Sequence, residues 1–227
     1  MCSRYSLTSP AEAVRAYFRV SGGEDFPPRY NIAPTQPVPI VRTSAAGDRE
    51  LVLVRWGLIP SWVKEPREFS TLINARSESV LEKPAFRSAM RYRRCLIPAD
   101  GFYEWSGAKG DKRPHLIRPK AGGPMAIAGL WEHWQGVEGS ELETMAILTT
   151  SANRVAAAIH DRMPVILAPE TFDSWLDCRA MPAEAAAQLL LPASDDLLET
   201  IEVSKALNNS RNEGPQVQAP AEAPRLL

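Results

Sequence analysis

The chain has 227 residues, of which 44% are hydrophobic and 23% charged, a composition typical of a globular protein with an apolar core. Its 26 Lys and Arg residues nearly balance its 27 Asp and Glu residues, so net charge indicates no class of partner. No stretch approaches the length of a membrane-spanning helix and no apolar segment opens the chain, so we expect neither a membrane span nor a signal peptide.

The residue pattern predicts one helix and then a succession of short strands. Ser9 and Pro10 are typical of a helix start, and the helix's apolar stripe is expected to end near Ser21-Gly22-Gly23. Strands are predicted at Val38–Val41, Leu51–Trp56, Cys95–Pro98, Gly101–Trp105, His115–Arg118, Met125–Trp131, Thr144–Thr149, Val165–Leu167 and Leu198–Val203. Further helices are predicted at Ser77–Leu81, Pro84–Met90, Asn153–Ile159, Pro169–Leu176 and Pro182–Leu190.

Short strands with scattered helices predict an α+β fold: a single domain with a twisted, barrel-like, mostly antiparallel sheet flanked by helices. No repeat or low-complexity linker interrupts residues 1–207, so we assign that range to one domain. Residues 208–227 are polar and proline-rich, and we expect them to form a disordered tail. The three cysteines lack CxxC spacing, which fits a reducing cytosol and predicts no zinc site and no disulfide framework.

The start of the chain carries a small reactive residue. The sequence opens MCSRYS, and Cys2 is small enough for Met1 to be removed in the cell. Removal leaves an α-amine and a thiol on adjacent carbons, and both titrate near neutral pH. Such a 1,2-aminothiol condenses with an aldehyde to an imine and then closes a thiazolidine ring. The alternative is that a small second residue is there by chance.

Three short segments place polar side chains where a sheet would favour apolar ones. Asn74 and Arg76 share one face if their segment is extended; they either orient a substrate and bind a phosphate, or lie in a turn and on the surface. Glu104 lies in an aromatic strand, where it is either a general acid with a raised pKa or the partner of a nearby Arg. His160 and Arg162 suit proton transfer, with a structural histidine as the alternative.

Aromatic and basic residues add two candidate contacts for nucleic acid. Trp56 and Trp62 bracket a Gly/Pro turn and either stack nucleobases or belong to the core. The extended segment Tyr30–Pro34 is expected to line the same cleft. The run Arg87–Arg94 contains four arginines and no acid, so it either meets phosphates or forms a solvated face.

Seven segments, taken together and in this order, resemble the SOS-response-associated peptidase (SRAP) family of abasic-site processing proteins. They are MCSRYS, YNIAPTQ, WGLIPSW, NARSES, KPAFR, RRCLIPADGFYEW and IHDRMPVIL. The resemblance runs from residue 2 to about residue 207. It implies an α+β domain around a barrel-like antiparallel sheet with a positively charged groove.

The resemblance implies that Cys2, once Met1 is lost, forms a thiazolidine crosslink to the ring-opened aldehyde of an abasic site in single-stranded DNA. It assigns the other catalytic positions to Asn74, Glu104 and His160. With the cleft expected at Tyr30–Pro34, the candidate DNA-binding residues are Arg4, Asn31, Pro34, Trp56, Trp62, Arg76, Trp105 and Arg162. We expect a cytoplasmic monomer, associated with the nucleoid on DNA, that needs no cofactor or metal.

The function expected from these residues is to shield abasic sites in the DNA-damage response, with an associated lyase activity and reversal of the crosslink. One alternative is an N-terminal-nucleophile cysteine peptidase that removes its own first residue, with Cys2 as nucleophile. Another is a single-strand binder without catalysis.

Overall fold

Strands dominate the computed structural model, which describes residues 2–221. The strands are β1 (Tyr5–Leu7), β2 (Arg29–Ile32), β3 (Pro37–Thr43), β4 (Arg49–Trp56), β5 (Asn74–Arg76), β6 (Arg94–Ala99), β7 (Gly101–Ser106), β8 (Arg113–Pro119), β9 (Met125–Gln135), β10 (Glu141–Ser151), β11 (Arg162–Pro164), β12 (Ile166–Leu167) and β13 (Leu198–Glu202). The helices are α1 (Ala11–Phe18), α2 (Arg87–Tyr92), α3 (Arg154–Ala157), α4 (Phe172–Leu176) and α5 (Ala183–Ala187). Short 3-10 turns lie at Ser77–Ser79, Pro169–Thr171, Lys205–Asn208 and Pro215–Gln218.

Five of the strands close into a barrel in the order β4, β3, β6, β9 and β10. The β3–β4 hairpin is antiparallel along its whole length, and β6 pairs antiparallel with β9. Strand β10 closes the barrel because it pairs antiparallel with β9 and parallel with β4. The α+β fold with a barrel-like, mostly antiparallel sheet is therefore confirmed.

The barrel core is close-packed around β6 and β9. Every residue of β6 is buried, because α4 covers the outer face while the inner face lines the barrel. The indole N–H of Trp175 on α4 donates to the carbonyl oxygen of Cys95 at 2.8 Å. Gly129 on β9 is required by this packing, because a Cβ there would lie 2.9 Å from the Cys95 sulfur. Cys95 is thus the small core residue that its apolar context predicts.

A second sheet places the amino terminus at an interior position. Its strand order is β13, β8, β7, β1 and β2, so β1 lies between β7 and β2. Strand alternation divides β7 into two faces. Phe102 belongs to the main core, whereas Tyr103 and Trp105 belong to a smaller apolar cluster with Leu207 and Val217. Glu104 therefore points away from the face that carries Trp105.

The prediction of a disordered tail from residue 208 is wrong for residues 208–221. Val217, in the last 3-10 turn, is fully buried against the second sheet. The amide nitrogen of Gln218 donates to the Tyr103 hydroxyl at 2.6 Å. One apolar anchor and a few amide contacts hold this segment despite its polar composition. Residues 222–227 of the predicted tail lie outside the described residues.

The basic run at 87–94 does not form a patch of four arginines. Arg94 is only 1% exposed and donates to the backbone carbonyl oxygens of Trp175, Met90, Asp177 and Met181. The Arg93 guanidinium pairs with Glu132 at 2.9 Å. Only Arg87 and Arg91 are exposed, so a surface of four arginines for phosphates is excluded.

Several predicted helices are shorter than expected, among them Asn153–Ile159, which is helical only over α3. The segment predicted as a helix at Ser77–Leu81 is a 3-10 turn at Ser77–Ser79, and Pro182–Leu190 is helical only over α5. Among residues 2–221, no helix is long and apolar enough to cross a membrane.

Candidate active site

Cys2 lies at the point where the two sheets meet. Its side chain is fully buried and its thiol donates to the carbonyl oxygen of Arg4 at 3.7 Å. The side-chain amide of Asn74 donates to the Cys2 carbonyl oxygen at 2.8 Å. Burial, and then the charge of Glu104, raise the pKa of the Cys2 thiol well above its ordinary range. The thiol is therefore held in its protonated form.

Asn74 offers a second group at the same place. It begins β5, which pairs parallel with β10 so that Asn74 is opposite Ile147. Its Oδ1 atom is buried and accepts no hydrogen bond from any residue between 2 and 221. A buried acceptor without a donor is costly unless a ligand supplies one. Asn74 thus holds the Cys2 backbone with its nitrogen and keeps its oxygen available.

Glu104 brings a carboxyl group to Cys2 from β7. Its side chain is 3% exposed, and burial raises its pKa above the ordinary value. The neighbouring charge of His160 acts in the opposite direction. A carboxyl group that keeps its proton more readily than usual is suited to act as a general acid. Among the described residues, the charges that act on the pKa of Glu104 are those of His160 and Asp161.

His160 approaches from the loop between α3 and β11. Its Nδ1 atom accepts a hydrogen bond from the backbone N–H of Arg162 at 3.0 Å, which assigns the proton of the neutral ring to Nε2. The same Nδ1 atom lies 2.9 Å from a carboxylate oxygen of Asp161. Protonation at Nδ1 would therefore form an ion pair with Asp161. The neutral ring thus has the Arg162 N–H as its partner, and the protonated ring would have Asp161. Partners of both kinds suit a group that transfers protons.

Arg4 and Trp105 lie on the opposite face of β7 from Glu104. They line an open cleft of about 540 Å³ with Ser3, Gly110, Lys112 and Asn208. The Arg4 guanidinium lies 5.8 Å from the centre of the Trp105 ring, and the indole N–H of Trp105 donates to Asn208 Oδ1 at 2.7 Å. The cleft thus brings the cations Arg4 and Lys112 together with the ring of Trp105. Its first lining residue, Ser3, directly follows Cys2 in the chain.

Asn31 is buried, and its side chain is occupied by the protein itself. Its Oδ1 atom accepts from Arg4 at 2.6 Å, and its Nδ2 atom donates to the carbonyl oxygens of Asn209 at 3.1 Å and Asn212 at 2.9 Å. Asn31 therefore holds Arg4 and the carboxyl-terminal segment in place. The expectation that it contacts DNA is wrong, because its side chain is 0% exposed.

Of the predicted aromatic contacts, Trp56 is a core residue. It is 0% exposed, packs edge-on against Tyr5, and donates its indole N–H to the Ile73 carbonyl oxygen at 3.0 Å. A base cannot stack on it, so the prediction for Trp56 is wrong. Trp62, in contrast, is 59% exposed, with its ring edge-on to Phe69 at 5.8 Å.

The remaining predicted DNA contacts, Pro34, Arg76 and Arg162, differ in exposure. Pro34 is half-buried in a turn where the next residue, Thr35, has φ of 74°. Arg76 is exposed at the end of β5. Arg162 is mostly covered and forms a two-point ion pair with Glu78.

A family model described as "SOS response associated peptidase (SRAP)" matches residues 1–210. This chain belongs to the SRAP family. The resemblance found in the sequence motifs is thereby confirmed, and it extends three residues beyond the predicted boundary at 207.

Similar proteins support this family assignment over nearly the whole chain. "Abasic site processing protein YoqW" of Bacillus subtilis is 38% identical over 222 residues, covering 96% of this chain and 98% of that protein. "Abasic site processing protein HMCES" of Rattus norvegicus is 30% identical over 273 residues, covering 98% of this chain and 76% of that protein. A crystal structure from Bacteroides thetaiotaomicron has a TM-score of 0.86 at 27% identity and covers 97% of this chain and all of that one.

Sequence reasoning missed three residues around the site. Lys112 and Asn208 reach the Arg4 cleft from loops far apart in sequence, and neither has a local signature. Glu78 lies inside the NARSES motif, but its ion pair with Arg162 depends on a sheet pairing that the sequence does not reveal. Among residues 2–221, no cluster of three His, Cys, Asp or Glu side chains could hold a metal ion.

Proposed function

We propose that this protein processes abasic sites in single-stranded DNA by bonding to them covalently through Cys2. The observation that carries the proposal is the arrangement of Asn74 and Glu104 around Cys2. Asn74 binds the Cys2 carbonyl and keeps a buried acceptor available, while Glu104 is a buried acid in electrostatic contact with the thiol. The names of YoqW and HMCES, which describe abasic-site processing, support the same substrate.

The reaction requires that Cys2 be the first residue, with a free α-amine. An abasic deoxyribose is mainly a closed hemiacetal, and Glu104 donates a proton to the ring oxygen as the ring opens, while the C1′ hydroxyl gives its own proton to water and becomes the aldehyde. The α-amine attacks the C1′ aldehyde, and water leaves as the imine forms. The thiol then adds across the C=N bond: sulfur bonds to C1′, and the nitrogen gains a proton. One water is lost overall, and a thiazolidine links protein to DNA.

The side chains divide the proton transfers between them. Glu104 becomes a base once it has donated its proton, and it can then accept the proton of the Cys2 thiol. His160 carries protons to and from the amine and the leaving water, using Asp161 as its ionic partner. General acid–base catalysis of this kind contributes about 10²- to 10⁴-fold in rate. Asn74 Oδ1 accepts an N–H of the amine or a sugar hydroxyl, which holds both partners close enough for ring closure.

The imine stage allows a second outcome. Loss of a C2′ proton with departure of the 3′ phosphate is a β-elimination, so the protein is expected to show lyase activity. The crosslink opens by the same steps in reverse, because Glu104 and His160 serve both directions. We therefore propose that capture is reversible and that it shields the lesion during the DNA-damage response.

Exposed rings and cations support a single strand as the partner. Trp62 is exposed and can stack a base, and the cleft at Arg4 and Trp105 offers cations beside a second ring. Arg76 and Arg162 are assigned to phosphates, and Pro34 to a contact beside them. Phosphate contacts make binding sensitive to salt. We propose a cytoplasmic monomer that needs no cofactor.

The test is Cys2→Ala with an oligonucleotide carrying one abasic site. Wild-type protein should give a slow band on a denaturing gel, and the variant should give none while it still binds undamaged single strands. Cys178→Ala is the matched control, because that half-buried thiol lies outside the site. A crosslinked band from Cys2→Ala would refute the mechanism. Peptide cleavage without a band would favour the peptidase. The absence of both products would favour a simple binder.

A further inference from the structure

Arg162 is assigned to phosphate binding, yet its guanidinium is already occupied by a carboxylate. Nη2 donates to Glu78 Oε2 at 3.0 Å while Nη1 donates to Oε1. Nη2 also donates to the Thr149 carbonyl oxygen at 2.7 Å. The Arg162 side chain is 14% exposed, and its Nε atom is buried without an acceptor among residues 2–221. A phosphate can therefore reach the outer edge of this guanidinium only where Glu78 now lies.

A phosphate can displace Glu78 from Arg162. It lies in the 3-10 turn after β5, and its side chain is 55% exposed, so it can rotate into solvent. A carboxylate and a phosphodiester present the same two-oxygen edge to a guanidinium and carry the same single charge. Hydrogen bonding from Arg162 lowers the pKa of Glu78, which keeps it ionised at neutral pH. Replacement of the Glu78 carboxylate by a phosphate at Arg162 therefore adds little to the free energy of DNA binding.

The ion pair also joins the two segments that carry catalytic groups. Glu78 follows Asn74 by four residues, and the backbone N–H of Arg162 donates to His160 at 3.0 Å. A phosphate that replaces Glu78 would therefore bind an arginine whose own backbone N–H holds His160. Its binding links DNA contact to the two segments that carry the proposed catalytic groups.

We propose that Glu78 is an internal competitor for the phosphate of Arg162, and that it lowers the affinity of the protein for single strands in general. The inference rests on the proposed function, because it assumes that single-stranded DNA is the ligand. Each binding event must return Glu78 to solvent, which reduces the gain from the arginine. Glu78 thereby determines how strongly the capture of an abasic site depends on a phosphate that is placed at Arg162.

The test is the affinity of Glu78→Gln for an undamaged single-stranded oligonucleotide. Glutamine keeps the shape but not the charge, so binding should tighten about two- to fivefold, the range expected from loss of one exposed ion pair. The slope of log affinity against log salt should steepen by about 0.7, the value of one added phosphate on a single strand. Glu82→Gln is the matched control, because Glu82 is exposed and carries no ion pair among the described residues.

A double-mutant cycle separates competition from a general charge effect. In an Arg162→Ala background, Glu78→Gln should have no larger effect than Glu82→Gln. Glu78→Gln that binds no tighter than Glu82→Gln, or that binds more weakly than wild type, overturns the inference and shows that Glu78 only supports Arg162. Crosslinking of an abasic oligonucleotide by the wild-type protein is measured in parallel. Its presence leaves the proposed function intact when the inference fails, whereas its absence refutes the function separately.

Discussion

Asn31→Ala should loosen both the carboxyl-terminal segment and Arg4. The variant removes two N–H donors that serve the carbonyl oxygens of Asn209 and Asn212, and it removes the acceptor for Arg4. Each neutral hydrogen bond contributes about 0.5–1.5 kcal/mol and one to a charged group about 1.5–3 kcal/mol. The full sum is an upper bound, because water can enter the space that the side chain leaves. We expect the free energy of unfolding to fall by about 2–4 kcal/mol.

The assay is urea unfolding followed by tryptophan fluorescence, combined with binding of an undamaged single strand. Asn209→Ala is the control, because its backbone carbonyl remains for Asn31 and its exposed side chain only accepts from the backbone N–H of Arg211 at 3.1 Å. It should lower stability by no more than about 1 kcal/mol. Arg4 also donates to the Leu207 carbonyl oxygen at 3.2 Å, so its guanidinium should keep one anchor in the Asn31 variant. Equal stability of Asn31→Ala and wild type would refute the role assigned to Asn31.

Two further predictions concern the site itself. Glu104→Gln should slow crosslinking by about 10²- to 10⁴-fold. It should also change how stability depends on pH: burial raises the pKa of Glu104, so its contribution to stability is present below the ordinary value of 4.5 and is lost as pH rises through the raised value. The variant should therefore gain stability relative to wild type from acidic to neutral pH in urea titrations, and a constant difference would contradict the assigned burial effect. Trp62→Ala should weaken single-strand binding by about 1–3 kcal/mol with little loss of stability, whereas Trp56→Ala should cost about 3–5 kcal/mol of stability, and the reverse pattern would contradict their assigned exposures.

Sequence reasoning located most of the strands and singled out the candidate chemical groups because both depend on local patterns. Alternation and apolar runs located β3, β4 and β6 to β10 within a few residues. Asn74, Glu104 and His160 stood out because polar groups among apolar neighbours are costly without a role, and Cys2 stood out because it follows Met1. Their approach to one another depends on β1, β5 and β7 and on the loop before β11, which the sequence does not pair by itself.

The errors came from burial, which a single sequence does not report. Trp56 and Trp62 have similar local surroundings, yet one is fully buried in the barrel and the other is mostly exposed. Asn31 belongs to an extended segment expected to line a cleft, but the carboxyl-terminal segment binds its side chain. Val217 is a lone apolar residue in a polar stretch, so composition gave no sign of its burial.

The interior position of β1 has a consequence for how the protein matures. β1 gains its second neighbour only when β7, about a hundred residues later, has been synthesised and has paired with it. During that interval the start of the chain is open to an aminopeptidase. Afterwards Cys2 is enclosed, with a fully buried side chain. The free α-amine that the proposed reaction needs is therefore best produced while the chain is still being made, which ties the yield of reactive protein to the pace of translation.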